Sequence, residues 1–126
     1  MNVNLDYIAK PVPLTIIKSE LTKERFVRIT NKGNNEIYII NHHNSPNVMR
    51  EVGRLREVTF ASAGGGTGKS LDIDQSDTAA ICYEQLLVWA LVAHQIIGVY
   101  RFIDCDKLTA THHTYIDTRC YLSYCC

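Results

Sequence analysis

The chain has 126 residues, 46% hydrophobic and 21% charged, a length and balance that fit one globular domain at most. Lysine plus arginine and aspartate plus glutamate stand at 13 each, so no net field draws the whole molecule to nucleic acid or to an anionic membrane. Met1–Lys10 lacks the basic start and apolar run of an export signal, the longest apolar stretch (Leu86–Ala93) falls short of the ~20 residues a membrane span needs, and the five cysteines show no framework spacing, so they read as reduced cytoplasmic thiols.

In chain order, residues 1–35 read as an N-terminal extension. Pro11 and Pro13 keep Lys10–Leu14 extended, Ser19–Arg28 reads as one short amphipathic helix, and Asn31–Asn35 is a turn. Glu36–Asn41 is β-branched and aromatic, a strand. Asn44-Ser-Pro-Asn47 marks a helix start, with a capping residue near a proline. Val48, Val52, Leu55 and Phe60 follow helical spacing, and Ala63–Gly68, rich in glycine, ends that helix in a flexible loop. Leu71–Asp77 is a short acidic segment. Gln85–Trp89 and Ile96–Ile103 are apolar runs of strand length that pair as a hairpin across Ala90–Gln95. A single long buried helix is the competing reading, because that turn is unusually apolar. Residues 104–126 read as a separate, divergent tail without periodicity.

Four constellations could carry chemistry. Ala63–Ser70 meets a loose phosphate-loop pattern ending in Gly68-Lys69-Ser70, but the segment before it reads as a helix rather than a buried strand. The segment after it is acidic and would repel phosphate. Asp72, Asp74 and Asp77 begin like a calcium loop, yet Asp77 stands where glycine is needed and Tyr83 where glutamate is needed. His112, His113, Cys120 and Cys125 are zinc-type ligands in no common pair-and-pair spacing, and no metal site is assigned. The fourth is electrostatic: Arg54 and Arg56 on the helix, Asp72, Asp74 and Asp77 after the loop, and Arg101 at the end of an apolar strand. A charge placed there should seek a partner.

Those residues form an ordered pattern. Arg56 and Phe60 match Arg-x3-Phe; Asp72, Asp74 and Asp77 match acid-x-Asp-x2-Asp; Gly98 and Arg101 match Gly-x2-Arg. The pattern resembles the N-terminal half of the acyl-homoserine-lactone synthases and of the related ornithine- and glycine-lipid N-acyltransferases, often labelled hemolysin. With its glycine-rich loop, the stretch Glu36–Arg101 looks closest to the amino-acid-lipid branch. The resemblance fades after Ile103.

The resemblance implies an α/β chain holding the N-terminal half of a GNAT-like fold, a mixed or antiparallel sheet with helices, with residues 36–103 as the partial acyltransferase domain. It implies transfer of a long, often 3-hydroxylated acyl group from acyl carrier protein to the amine of glycine or ornithine. The donor is the carrier's phosphopantetheine thioester, and no further cofactor is implied. Asp74 or Asp77 would assist the amine, and Arg101 would complete the catalytic set. Arg56, Phe60 and Asp72 would hold substrate or line the acyl path. Such enzymes grip the donor beyond the strand that carries Arg101, and 25 residues follow Arg101 here (126 − 101). The expectation is therefore an interrupted copy of a longer protein with an open sheet edge, prone to self-association, and peripheral membrane contact only through the lipid product. The rival expectation is a non-catalytic module that pairs with another chain or with acyl carrier protein.

Overall fold

In the computed structural model, residues 4–80, 82–103 and the strand 119–122 are described. The elements are α1 (Leu14–Glu20), β1 (Phe26–Ile29), β2 (Glu36–Ile40), α2 (Pro46–Ser62), α3 (Gln75–Thr78), β3 (Glu84–Ala90), β4 (Gln95–Phe102) and β5 (Arg119–Leu122). The five strands form one sheet in the order β1-β2-β3-β4-β5, every neighbour antiparallel.

The predicted helix over Ser19–Arg28 is replaced by two elements. Pro13 has φ −56°, already suited to a helix entry, and α1 starts directly after it. Phe26–Ile29 is apolar and β-branched, and it pairs with β2, where the Phe26 and Tyr38 rings meet edge to face at 5.7 Å. The segment before residue 36 thus supplies an edge strand and, through Ile17, a buried core residue.

Period-two burial fixes the sheet's inner face. Gln85, Leu87 and Trp89 on β3 lie opposite Arg101, Val99 and Ile96 on β4, and all six are buried. Tyr38 and Ile40 continue this face on β2. Against it packs α2, whose Val48, Met49 and Val52 are completely buried. Each such side chain contributes about 1.5–3 kcal/mol by leaving water. Pro46 occupies the first turn of α2, where its missing N–H costs no helical hydrogen bond. The hairpin forms as predicted, and the four residues Leu91–His94 turn it, with His94 at φ 54° donating its N–H to the Ala90 carbonyl at 2.8 Å. The long-helix alternative loses because both runs complete an alternating ladder.

The β4 edge, expected to be open, pairs with β5 over Gly98–Arg101. Among the described residues, β1 and β5 are the outer strands. His112, His113 and Cys125 lie outside the described residues, and Cys120 lies in β5, whose side chains are not described. No described helix is long and apolar enough to cross a membrane.

Candidate functional site

The site starts with a polar residue in an apolar stripe. Arg56 lies four residues beyond Val52 and four before Phe60, so it continues the core-facing side of α2. It is 3% exposed, and a guanidinium at that depth needs acceptors on every side. It donates to the Asp72 carbonyl at 3.2 Å, to Asp77 Oδ2 at 3.1 Å and to Gln85 Oε1 at 2.7 Å.

The aspartates arrive because the chain crosses α2 at a glycine. A Cβ on Gly53 would sit 2.5 Å from Ile73 Cγ1. Without that Cβ, Leu71–Ile73 lies directly on the helix, and the Asp72 N–H donates to the Gly53 carbonyl at 3.0 Å. Asp74 then caps the one-turn helix α3. Its Oδ1 accepts from the N–H groups of Ser76 (2.9 Å) and Asp77 (3.2 Å), and Asp77 Oδ2 accepts the Asp74 N–H at 3.1 Å. This reciprocal capping box turns Asp77 inward, to 1% exposure, and leaves Asp74 at the surface.

Arg101 arrives from the sheet. Its register partner Gln85 shares the inner face, so both reach the end of the core next to α3. Arg101 Nη1 lies 3.2 Å from Asp74 Oδ2 and 3.4 Å from Asp77 Oδ1. The Tyr83 ring sits 4.7 Å from its guanidinium carbon, a cation–π contact. Gln85 Nε2 closes the circuit by donating to Asp77 Oδ1 at 3.3 Å. Two arginines and two aspartates leave the cluster formally neutral, which is what lets it be buried.

One member faces solvent. The Asp74 side chain is 53% exposed, against 1–3% for Arg56, Asp77 and Arg101. Partial burial alone would push its carboxyl up. The hydrogen bond and charge of Arg101, with the two backbone N–H groups, outweigh that and hold it below the usual aspartate value. Asp72 moves the other way: burial raises its carboxyl, with the charge of Arg56 opposing.

Of the predicted residues, Arg56, Asp74, Asp77 and Arg101 meet. Asp72 joins through its backbone carbonyl, and Phe60 packs partly buried on the core one turn along α2. Arg54 does not join. It faces Glu51 one turn back, with Nη2 to Oε2 at 2.7 Å and Nε to Oε1 at 2.8 Å. Gln85 and Tyr83 were missed. Gln85 was legible, since it shares parity with Leu87 and Trp89 and therefore had to face the core. Tyr83 lies outside the strand and gave no such signal.

The glycine loop holds an anion, though not a phosphate. Glu57, next to Arg56 on α2, is completely buried. Its carboxylate accepts from the Thr67 N–H at 3.0 Å, the Gly68 N–H at 3.1 Å, the Thr67 hydroxyl and the Tyr7 hydroxyl. A Cβ on Gly66 would lie 2.5 Å from Glu57 Oε2, so glycine is required for this approach. Burial pushes the Glu57 carboxyl up, but the Thr67, Tyr7 and Gly68 donors prevail and set it below its ordinary value. The loop is therefore tied to the protein's own side chain rather than loose.

The chain is thus an antiparallel α/β unit with one long helix on the inner face of its sheet and a buried Arg–Asp cluster where the helix meets the strand ends. Residues 55–125 match the Acetyltransferase (GNAT) domain, and the chain belongs to that family. The match runs past Ile103, where the sequence pattern faded. Over 99 residues the chain is 56% identical to a glycine N(alpha)-acyltransferase of Bacteroides thetaiotaomicron, covering 79% of this chain and 29% of that protein. Over 109 residues it is 46% identical to a glycine N(alpha)-acyltransferase of Phocaeicola vulgatus, covering 86% of this chain and 33% of that one. The chain thus spans about a third of the length of these relatives. No solved structure matches it significantly.

Proposed function

We propose that this chain supplies the amine-side half of an N-acyltransferase that moves a long-chain acyl group from the phosphopantetheine thioester of acyl carrier protein to the amine of glycine, making an amino-acid lipid. The single observation that carries this reading is the position of Asp74. It is an ionised carboxylate at the mouth of a closed charge network, in a chain whose relatives are named for acylating glycine.

The chemistry follows from the exposures. When an amine attacks a thioester carbonyl, its nitrogen becomes positive as the C–N bond forms. A carboxylate within reach stabilises that charge in the transition state. Asp74 is held below the usual aspartate value, so it is a weak base and a persistent anion. It holds the glycine nitrogen, which attacks as the neutral amine after its first proton has gone to water, and stabilises the positive charge that develops as the C–N bond forms. Collapse of the tetrahedral adduct breaks the C–S bond, and the proton released from nitrogen passes through water to the departing carrier thiolate. Asp77 and Arg56, both nearly fully buried, do not reach substrate in this scheme. They are positioning residues that fix Arg101, and Arg101 fixes Asp74.

The test is a chimera in which residues 4–103 replace the matching segment of the Bacteroides thetaiotaomicron relative, assayed with acyl carrier protein thioester and glycine. Asp74→Asn should lower kcat/KM by about 10²–10³, the range for losing one preorganised charge contact, while the variant stays folded with only a modest drop in melting temperature at neutral pH. Undiminished N-acylglycine formation by that variant would remove Asp74 from the mechanism. Undiminished activity with free water-soluble thioesters only would remove the carrier from it.

A further inference from the structure

The sheet has two unlike ends. The Arg–Asp network occupies one. At the other lie the β3–β4 turn and the β1–β2 turn, brought together because Glu36, the first residue of β2, pairs with Trp89 near the end of β3. Roughly 20 Å separates the ends, from six residues at about 3.3 Å each between Gln85 and Leu91.

The second end is apolar at its tip and basic beside it. Leu91 is 40% exposed and Val92 93% exposed, and Ile29 at the end of β1 is 49% exposed. Hairpin turns usually carry polar or glycine residues, and the sequence Leu91-Val-Ala93 offers water no side-chain hydrogen bond. Next to it the β1–β2 turn carries Lys32, and Arg28 is held over that turn by a 2.7 Å hydrogen bond to Asn31 Oδ1. Of the acids at this end, Glu36 accepts the Tyr38 hydroxyl at 2.8 Å, and Glu51 is paired with Arg54 at 2.7 Å. A cleft of about 160 Å³ opens behind the tip, lined by Leu14, Ile17, Trp89 and Ile96 and by the paired Glu51 and Arg54. It does not border the Arg–Asp network.

We infer that this end of the sheet docks on an anionic lipid surface, with Leu91 and Val92 entering the headgroup region and Arg28 and Lys32 facing lipid phosphates. Two side chains at a convex tip are far below the area a stable protein interface needs, about 800 Å² per partner, whereas shallow entry into a bilayer requires only a few apolar side chains backed by cations. The orientation keeps the Asp74 end in water, open to a protein-borne donor. The inference goes beyond the acyl-transfer reading and does not rest on it, because its readout is adhesion rather than turnover.

The test is sedimentation of the full chain with vesicles of phosphatidylcholine containing phosphatidylglycerol, and with phosphatidylcholine alone. Binding should favour the anionic vesicles and weaken with salt. The doubly substituted Leu91→Asp, Val92→Asp variant should bind about tenfold less or weaker still, with unchanged circular dichroism, and Lys32→Glu should bind less with a smaller salt dependence. Absence of binding to anionic vesicles, or equal binding by the doubly substituted variant, overturns the inference. So does concentration-dependent self-association that the same variant abolishes without vesicles, which would mean that a second copy covers the tip.

Discussion

Arg56 and Glu57 are consecutive residues of α2, both buried to 3% or less, and the fold satisfies them in opposite ways. Arg56 is met by the Asp77 and Gln85 side chains and the Asp72 carbonyl, in a network that runs on through Arg101 to an aspartate half open to water. Glu57 is met by backbone N–H groups and hydroxyls from a loop ten residues away and from Tyr7, and its ring of donors closes on itself. A network that ends at an exposed group is equipped to meet a ligand. One that consumes all its donors internally is a brace. The phosphate-loop pattern therefore marked a real anion nest, but the anion it holds belongs to the protein.

The contrast can be broken by substitution. The largest effect is expected for Asp77→Ala, which removes the carboxylate shared by Arg56, Gln85 and Arg101. A loss of about 3–5 kcal/mol in urea unfolding is expected when a buried charge pair is broken from one side. Next comes Gly66→Ala, which forces a methyl against Glu57 Oε2 and the Ala61 backbone, for about 1–3 kcal/mol. Gly64→Ala, at φ +89° with open space around it, should cost only about 1 kcal/mol of backbone strain. Equal losses at both glycines would show that the loop does not close on Glu57.

Acid sharpens the same comparison. Glu57 and Asp74 are both held below their ordinary values, so the stability they contribute is fully present above the unfolded-state pKa of about 4 and is lost as pH falls through their folded values. Glu57→Gln turns an amide donor toward the Thr67 and Gly68 N–H groups. It should cost about 1–3 kcal/mol at pH 7, with the gap to wild type narrowing below about pH 4 in chemical unfolding. Asp72 runs in reverse. Its raised carboxyl favours folding when protonated, and that contribution is lost as pH rises through its folded value. Asp72→Asn should thus gain a few tenths of a kcal/mol at neutral pH and nothing in acid. A pH-independent gain would contradict the assigned shift.

Much of the fold was legible because it rests on periodicity. Apolar and β-branched runs over Glu36–Asn41, Gln85–Trp89 and Ile96–Ile103 mark strands close to those observed, and helical spacing of apolar residues from Val48 to Phe60 marks α2. The boundary near Ser19 was not legible, because Phe26–Ile29 becomes a strand only by finding β2 at its side. The site divided along the same line. A charge at the end of an apolar strand announces that a partner exists, so Arg101 could be named from its setting, whereas Arg56 was set apart only by the Arg-x3-Phe pattern. Arg54, two positions from Arg56, could not be separated from it by charge alone. It lies about 200° around the helix, where Glu51 takes it.

The sequence by itself determined which residues are apolar in which period, and hence the strands, the long helix and their hairpin pairing, while its ordered Arg-x3-Phe, acid-x-Asp-x2-Asp and Gly-x2-Arg motifs carried the family resemblance. Tertiary structure alone decided the rest. It decided that Gly53 lets the acidic segment lie on α2, that the capping box buries Asp77 while exposing Asp74, that register sets Gln85 beside Arg101, and that the glycine loop folds over Glu57. Local propensity reaches only a few residues along the chain, as in the Asp74–Asp77 capping box, whereas the contacts that seat these segments join positions 8 to 50 residues apart. They exist only once burial has removed water and each charge must find its partner inside.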